Sequence, residues 1–266
     1  MEKLNRWIAK HQTASKIMNI VIWVIVGVLL LEMGWPAWLV YTLIVILGAL
    51  YVIVISAAGD TLIKKPLEIL RTQCDPYPFL EEMRQQQSYP ANDATKQIRT
   101  INYALALRCI GEYEQAFALL STTNIDKHAG MLPVAKVSYY NNLMDLCALM
   151  GRHQEAILWY EKTAQIFHDM KPGKQKEKLR NTVESNRATY HFCKGEWEQA
   201  LQVLGRAKIE NLNDRIENAM MYARVYLALG ESEKAVRPLT FVAENGNKLY
   251  FATEARKLLA SSNTEE

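Results

Sequence analysis

The sequence predicts an all-α protein in two parts, an N-terminal two-helix transmembrane hairpin followed by a superhelix of stacked α-α pairs. Three observations carry that expectation. Between Ile17 and Gly59 a single ionisable side chain, Glu32, interrupts about forty residues. Beyond Gly59 the apolar positions recur at helical spacing. One heptapeptide then returns four times.

The hairpin follows from length. A helix rises about 1.5 Å per residue and the hydrocarbon core is about 30 Å thick, so roughly 20 apolar residues span it and roughly 40 make two crossings. Residues 36–58 carry no charge and are rich in Leu, Ile and Val. Residues 17–31 reach only about 22 Å by themselves and need Glu32 to Trp35 to complete the crossing, where a carboxylate still meets headgroup water. Gly34, Trp35 and Pro36 supply the break, because proline cannot continue one helix but can open the next, and Trp35 and Trp38 suit the interface. Lys3, Arg6, Lys10 and Lys16 precede the first span and Lys64, Lys65 and Arg71 follow the second, with no cation between. Both termini are therefore expected on the cytoplasmic side of a cell (inner or plasma) membrane. A cleaved signal peptide is disfavoured, since no small-residue cleavage site follows the first segment. With no polar residue in mid-span, simple anchoring is the expected role; Gly27, Gly34, Gly48 and Ala49 are where another helix would dock closely.

The expected organisation is a basic arm at 1–16, the two-span hairpin at 17–59, a degenerate helix pair at 60–92, four repeats at 93–247 and a capping helix with tail at 248–266. The net charge of +3 resides mainly in the arm, because 27 Lys and Arg face 26 Asp and Glu after Gly59. That balance argues against nucleic acid, whose binders carry a basic footprint. Cys74, Cys109, Cys147 and Cys193 stand far apart without a CxxC pair and read as reduced core residues rather than a disulfide or zinc framework.

The degenerate pair is split by Asp75 and Pro76. The four heptapeptides are GEYEQAF from Gly111, GRHQEAI from Gly151, GEWEQAL from Gly195 and GESEKAV from Gly230. Each follows an apolar helical run, and the glycines are 40, 44 and 35 residues apart. Glycine ends a helix by tolerating the left-handed turn, an aromatic two residues on fills the bend, and alanine five residues on lets paired helices approach. Tyr113 and Trp197 occupy the aromatic slot, whereas His153 and Ser232 depart from it. The extra length is expected around Asn124 to Pro133 and Met170 to Gln175; Asp93, and Asp214 with Glu217, are expected to cap the helices that open repeats one and four. Leu249, Phe251, Leu258 and Leu259 mark the buried face of the capping helix.

These four units resemble tetratricopeptide (TPR) repeats. In members of that family that hold extended peptides, an asparagine of the inner helix faces the concave groove, and the resemblance implies such a role for Asn102, Asn142 and Asn186. Each lies nine residues before its repeat's glycine, whereas the fourth repeat has Met221 there. By the same register the groove is expected to present Arg108, Asp145, Thr189 and Arg224, with Asn141 and Ser185 beside the ladder. An amide side chain offers both donor and acceptor, matching a peptide unit.

No enzyme motif is present: the five histidines lack HExxH spacing, and there is no phosphate-binding glycine loop or GxSxG elbow. No catalytic residue, metal, cofactor or small-molecule substrate is expected. The run Lys171, Lys174, Lys176, Lys178 and Arg180 reads as a solvated face. The expected function is a membrane-anchored TPR adaptor or scaffold that binds a protein or extended peptide in its groove at the cytoplasmic face. The alternative is a structural accessory subunit of a membrane transport, secretion or envelope-assembly complex, held through the hairpin.

Overall fold

The computed structural model of the chain describes residues 6–7, 10–123, 125–127 and 132–262. Expectations that fall on Lys3, Asn124, His128 and the tail past Ser262 lie outside the described residues. Every regular element among those described is helical. Helices α1 (Gln12–Glu32) and α2 (Ala37–Gln73) form a hairpin, and α3 (Tyr77–Gln87) follows. Four helix pairs come next: α4 (Asp93–Cys109) with α5 (Tyr113–Ser121), α6 (Pro133–Leu149) with α7 (His153–Asp169), α8 (Lys174–Cys193) with α9 (Trp197–Leu204), and α10 (Leu212–Ala228) with α11 (Ser232–Asn245). Helix α12 (Tyr250–Ser262) closes the array.

The recurring heptapeptide is the turn inside each pair. Gly111, Gly151, Gly195 and Gly230 have φ of 87°, 73°, 74° and 74°, the left-handed region that favours glycine. In each turn the next residue's amide reaches back to the helix: Glu112 to Leu107, Arg152 to Cys147, Glu196 to His191 and Glu231 to Tyr226, at 2.8–3.0 Å. The glycine amide bonds the residue three before it. Together these satisfy two carbonyls that a bare helix end would leave open, the Schellman arrangement. Ala116, Ala156, Ala200 and Ala235 are fully buried where the paired helices meet. In the aromatic slot Trp197 packs on Phe192 at 5.3 Å, and His153 meets the same Phe192 edge-on at 5.8 Å.

The observed caps are one and three residues from those expected. Asn92 accepts from the Thr95 amide at 2.9 Å, and Asn211 from the Asp214 amide at 3.0 Å. Asp93 falls in the first turn of α4. Asp214 instead accepts from Asn211 Nδ2 and the Glu210 amide. Part of the extra repeat length lies in the long helices α7 and α8, separated by Pro172 and Gly173, and part in a 3-10 turn at Ile125–Lys127. In the basic run, Lys176 donates to the carbonyls of His168 and Met170 at the end of α7, and Arg180 pairs with Glu177. All four cysteines are free and buried. Burial pushes the thiols of Cys74 and Cys147 up to about 11, and those of Cys109 and Cys193 up to about 12.

Among the described residues no helix is long and apolar enough to cross a membrane. This overturns the expected two-span transmembrane hairpin and the multi-pass inner-membrane location with cytoplasmic termini. The bilayer partner and the accessory-subunit role were argued from the same spans. The apolar run is divided at Gly34, Trp35 and Pro36 between two helices, and the second has no boundary at Gly59. It continues as one 37-residue helix through Lys64, Lys65, Glu68 and Arg71 into the repeat core. The hairpin itself is present. Gly34 turns it at φ 82°, and Gly27 lies against Val40 and Ile44 of α2. Its outer face is apolar, with Ile20, Val24, Val28, Val45, Ile46 and Ile53 half or more exposed. Arg6 is tied to α3 through Glu82 at 3.0 Å and through Gln85.

The repeats do not end in an open stack with a cap. The end of α2 and helix α3 share one core with the last pair, in which Leu70, Cys74, Phe79 and Met83 pack with Ile216, Met220, Leu239 and Leu249, and Ala106 and Cys109 of the first pair join it. Tyr250 lies over the turn at Gly111 and edge-on to Tyr113 at 5.5 Å. Asn247 Nδ2 donates to the Gln73 carbonyl at 2.8 Å, and Lys248 pairs with Asp75 at 2.6 Å. Helix α12 thereby joins the end of the chain to its first repeat, and the array closes on itself.

Candidate binding cavity

Closure turns a groove into a chamber. The inner helices α4, α6, α8 and α10, with the carboxyl end of α2 and Phe251 of α12, surround a cavity of about 450 Å³. The residue six before each turn glycine lines it in all four repeats: Leu105, Asp145, Thr189 and Arg224. Residues ten before (Asn141, Ser185, Met220), thirteen before (Thr182, Glu217) and seventeen before (Lys178, Asn213) continue the same stripe. Steps of four, three and four residues keep side chains on one helix face.

Arg108 holds the inside of the chamber together. Its Nη1 donates to Asp145 Oδ2 at 2.7 Å and its Nη2 to Glu217 Oε1 at 2.9 Å, so the guanidinium joins the first, second and fourth repeats. The side chain is only 11% exposed. Burial works against its charge, but Glu217 and Asp145 outweigh that and hold its pKa above the ordinary arginine value. Burial pushes the Asp145 carboxyl up to about 6; Arg108 opposes the shift and Glu217 adds to it. Asp214 is also raised, first by burial and then, against its bonds to Glu210 and Asn211, by the nearby Glu217 charge. Arg224 is neutralised separately, its Nη2 donating to both Glu254 oxygens at 2.8 and 2.9 Å.

Among the described residues, four buried polar atoms on lining side chains have no protein partner: Arg108 Nε, Asn141 Oδ1, Asn186 Nδ2 and Asn213 Oδ1. The orientation of the Asn213 amide is chemically fixed, because its nitrogen donates to Glu217 Oε1 at 3.3 Å and a carboxylate oxygen can only accept. Leaving such an atom buried and unpaired costs about 1–3 kcal/mol. A chamber with both kinds of open position can accept a ligand that carries both donors and acceptors.

Of the residues expected to face the groove, Arg108, Asn141, Asp145, Asn186, Thr189 and Arg224 line the cavity. Asn102 and Asn142 do not, so the three asparagines form no single row there. Asn142 is buried and donates to the Ser138 carbonyl at 2.9 Å within its own helix. The position nine before the glycine is about 300° around the helix from the position six before it, which puts it at the stripe's edge. There one asparagine reaches the cavity and another turns inward. Glu217, Asn213 and Asp214 also line the chamber and were not among the expected residues. Glu217 and Asn213 were accessible from the sequence, lying seven and eleven residues before Arg224, two and three turns along one face.

Among the described residues no group of His, Cys, Asp and Glu is arranged to hold a metal ion. The chain matches no family model, no curated protein and no solved structure.

Proposed function

We propose that this chain is a TPR-like interaction module whose central chamber binds a segment of a partner polypeptide, and that it serves as an adaptor or scaffold. The observation that carries the reading is the set of unpartnered amide atoms, Asn141 Oδ1 and Asn186 Nδ2, on adjacent inner helices lining one cavity. An acceptor and a donor of this kind complement the N–H and C=O of a peptide unit. The left-handed glycine turns and buried alanines support the resemblance to TPR pairs. No bond chemistry enters this reading.

The ligand is expected to enter as a short segment, because closure by α12 leaves a chamber where an open array would offer a continuous groove. Immobilised protein should retain members of a randomised hexapeptide-amide pool. The double variant Asn141→Ala with Asn186→Ala should lose about ten-fold or more of that retention, the size of two to three neutral hydrogen bonds. Helicity and melting should stay close to the parent's. Equal retention by the variant would reject the chamber as the binding site.

The volume of about 450 Å³ also favours a second reading, a sensor of a small polar ligand. A nucleotide panel that raises the melting temperature while the peptide pool does not would select it.

A further inference from the structure

Resting on the peptide reading, we propose that the chamber takes the free amino end of a polypeptide, its ammonium seated among Glu217, Asp145 and the Asn213 carbonyl oxygen and its first peptide unit set between Asn141 and Asn186.

The charges inside the chamber are unbalanced. Arg108 faces two carboxylates, Asp145 at 2.7 Å and Glu217 at 2.9 Å, and Arg224 is taken up by Glu254, so the inner cluster carries one surplus negative charge. Asp214 lines the same wall, with no cation paired to it among the described residues. The remaining lining cations Arg71, Lys178 and Lys208 are exposed and stand at the mouth, where Lys208 pairs with Glu210. A ligand carboxylate would enter against the inner surplus, whereas an ammonium neutralises it.

One open hydrogen-bond position beside the carboxylates, Asn213 Oδ1, has the polarity an ammonium needs, while Arg108 Nε is an open donor that would take a carbonyl of the ligand. Glu217 draws both the Arg108 guanidinium and the Asn213 amide onto one oxygen, which leaves Asn213 Oδ1 turned out as a bare acceptor beside a carboxylate. An ammonium brings three donors and no acceptor, and so matches an acceptor set of two carboxylates and a carbonyl. Asn141 Oδ1 and Asn186 Nδ2 then supply the acceptor and donor for the adjoining peptide bond. A lysine side chain carries the same ammonium but places several methylenes where that peptide unit would be.

Three randomised hexapeptide-amide pools decide the matter on the intact chain by equilibrium retention: free amino ends without lysine, acetylated ends without lysine, and acetylated ends with lysine. The first is expected to bind at least about ten-fold more tightly than either of the others, the size of one charged hydrogen bond. Glu217→Gln should bring that preference close to one when read well below the variant's melting temperature, which loss of the buried pair with Arg108 is expected to lower. Equal binding of the first two pools would overturn the amino-end proposal and leave the peptide reading standing. Lysine peptides binding as well as free-ended ones would also overturn it, assigning the ammonium to a side chain. Retention of none of the pools would overturn proposal and peptide reading together. An undiminished preference in the Glu217 variant would remove Glu217 from the seat and overturn the site as described.

Discussion

At the scale of single residues, the buried Arg108 cluster sets a pH dependence whose sign can be worked out. Asp145 is raised from its ordinary 3.8 to about 6 by burial, with Glu217 adding to the shift and Arg108 and Arg224 opposing it. A carboxyl whose folded pKa is raised favours the folded state when protonated. Its contribution is complete below about pH 3.8 and is lost as pH climbs through about 6. Asp126 runs the other way. Bonds from Lys162 and Tyr140 lower it to about 2, so its contribution is present above about 3.8 and fades as pH falls through about 2. Comparison with Asp145→Asn cancels Asp126 and the other groups remote from the Arg108 cluster. Urea unfolding between pH 4 and 8 should show the parent's stability relative to the variant falling from pH 4 to about 6 and levelling above it. A relative stability that rises over that interval would mean that Arg108's attraction exceeds the cost of burial.

At the scale of elements, the four turns have the same backbone but different neighbours. A methyl at Gly151 would meet nothing within 4 Å, whereas at Gly111 it would lie 2.4 Å from the Tyr250 ring. Gly151→Ala should therefore cost only the left-handed conformation, about 1–2 kcal/mol. Gly111→Ala should cost that and about 1–3 kcal/mol more for overpacking. Urea midpoints at constant slope will measure the gap, and equal losses would show that Tyr250 shifts aside freely. These turns were legible in the sequence because a Schellman ending is local chemistry, complete within six residues. The helix that runs from Ala37 to Gln73 was not. Gly59 and Asp60 mark a sharp change from apolar to polar composition, but glycine inside a helix costs only about 1 kcal/mol against alanine. A change in composition there is no break in the backbone, so a boundary drawn at Gly59 divided one helix in two.

At the scale of the whole molecule, closure was hidden because it depends on residues more than a hundred positions apart, such as Arg108 with Glu217 and Asn247 with Gln73. No local pattern encodes such a meeting. Four repeats in register predict equally an open stack and a ring, and the ring here is made by the core that α2 and α3 share with the last pair together with the fit of Tyr250 on the bare turn at Gly111. The cavity stripe was half legible for the same reason: each helix's inward face has a readable period, but the way the faces converge belongs to the closed array. That difference gives the last prediction. In an open array each repeat touches only its neighbours, so damage near the end of the chain stays near the end. In a closed one, Tyr250→Ala should cost about 2–3 kcal/mol, somewhat below a fully buried aromatic, and the loss should reach the first repeat. Amide hydrogen exchange should then speed up across residues 93–121 as well as in α11, while α7 and the amino end of α8, on the far side of the ring, keep more of their protection. Faster exchange confined to α10, α11 and α12 would show that α12 caps a stack without joining its ends.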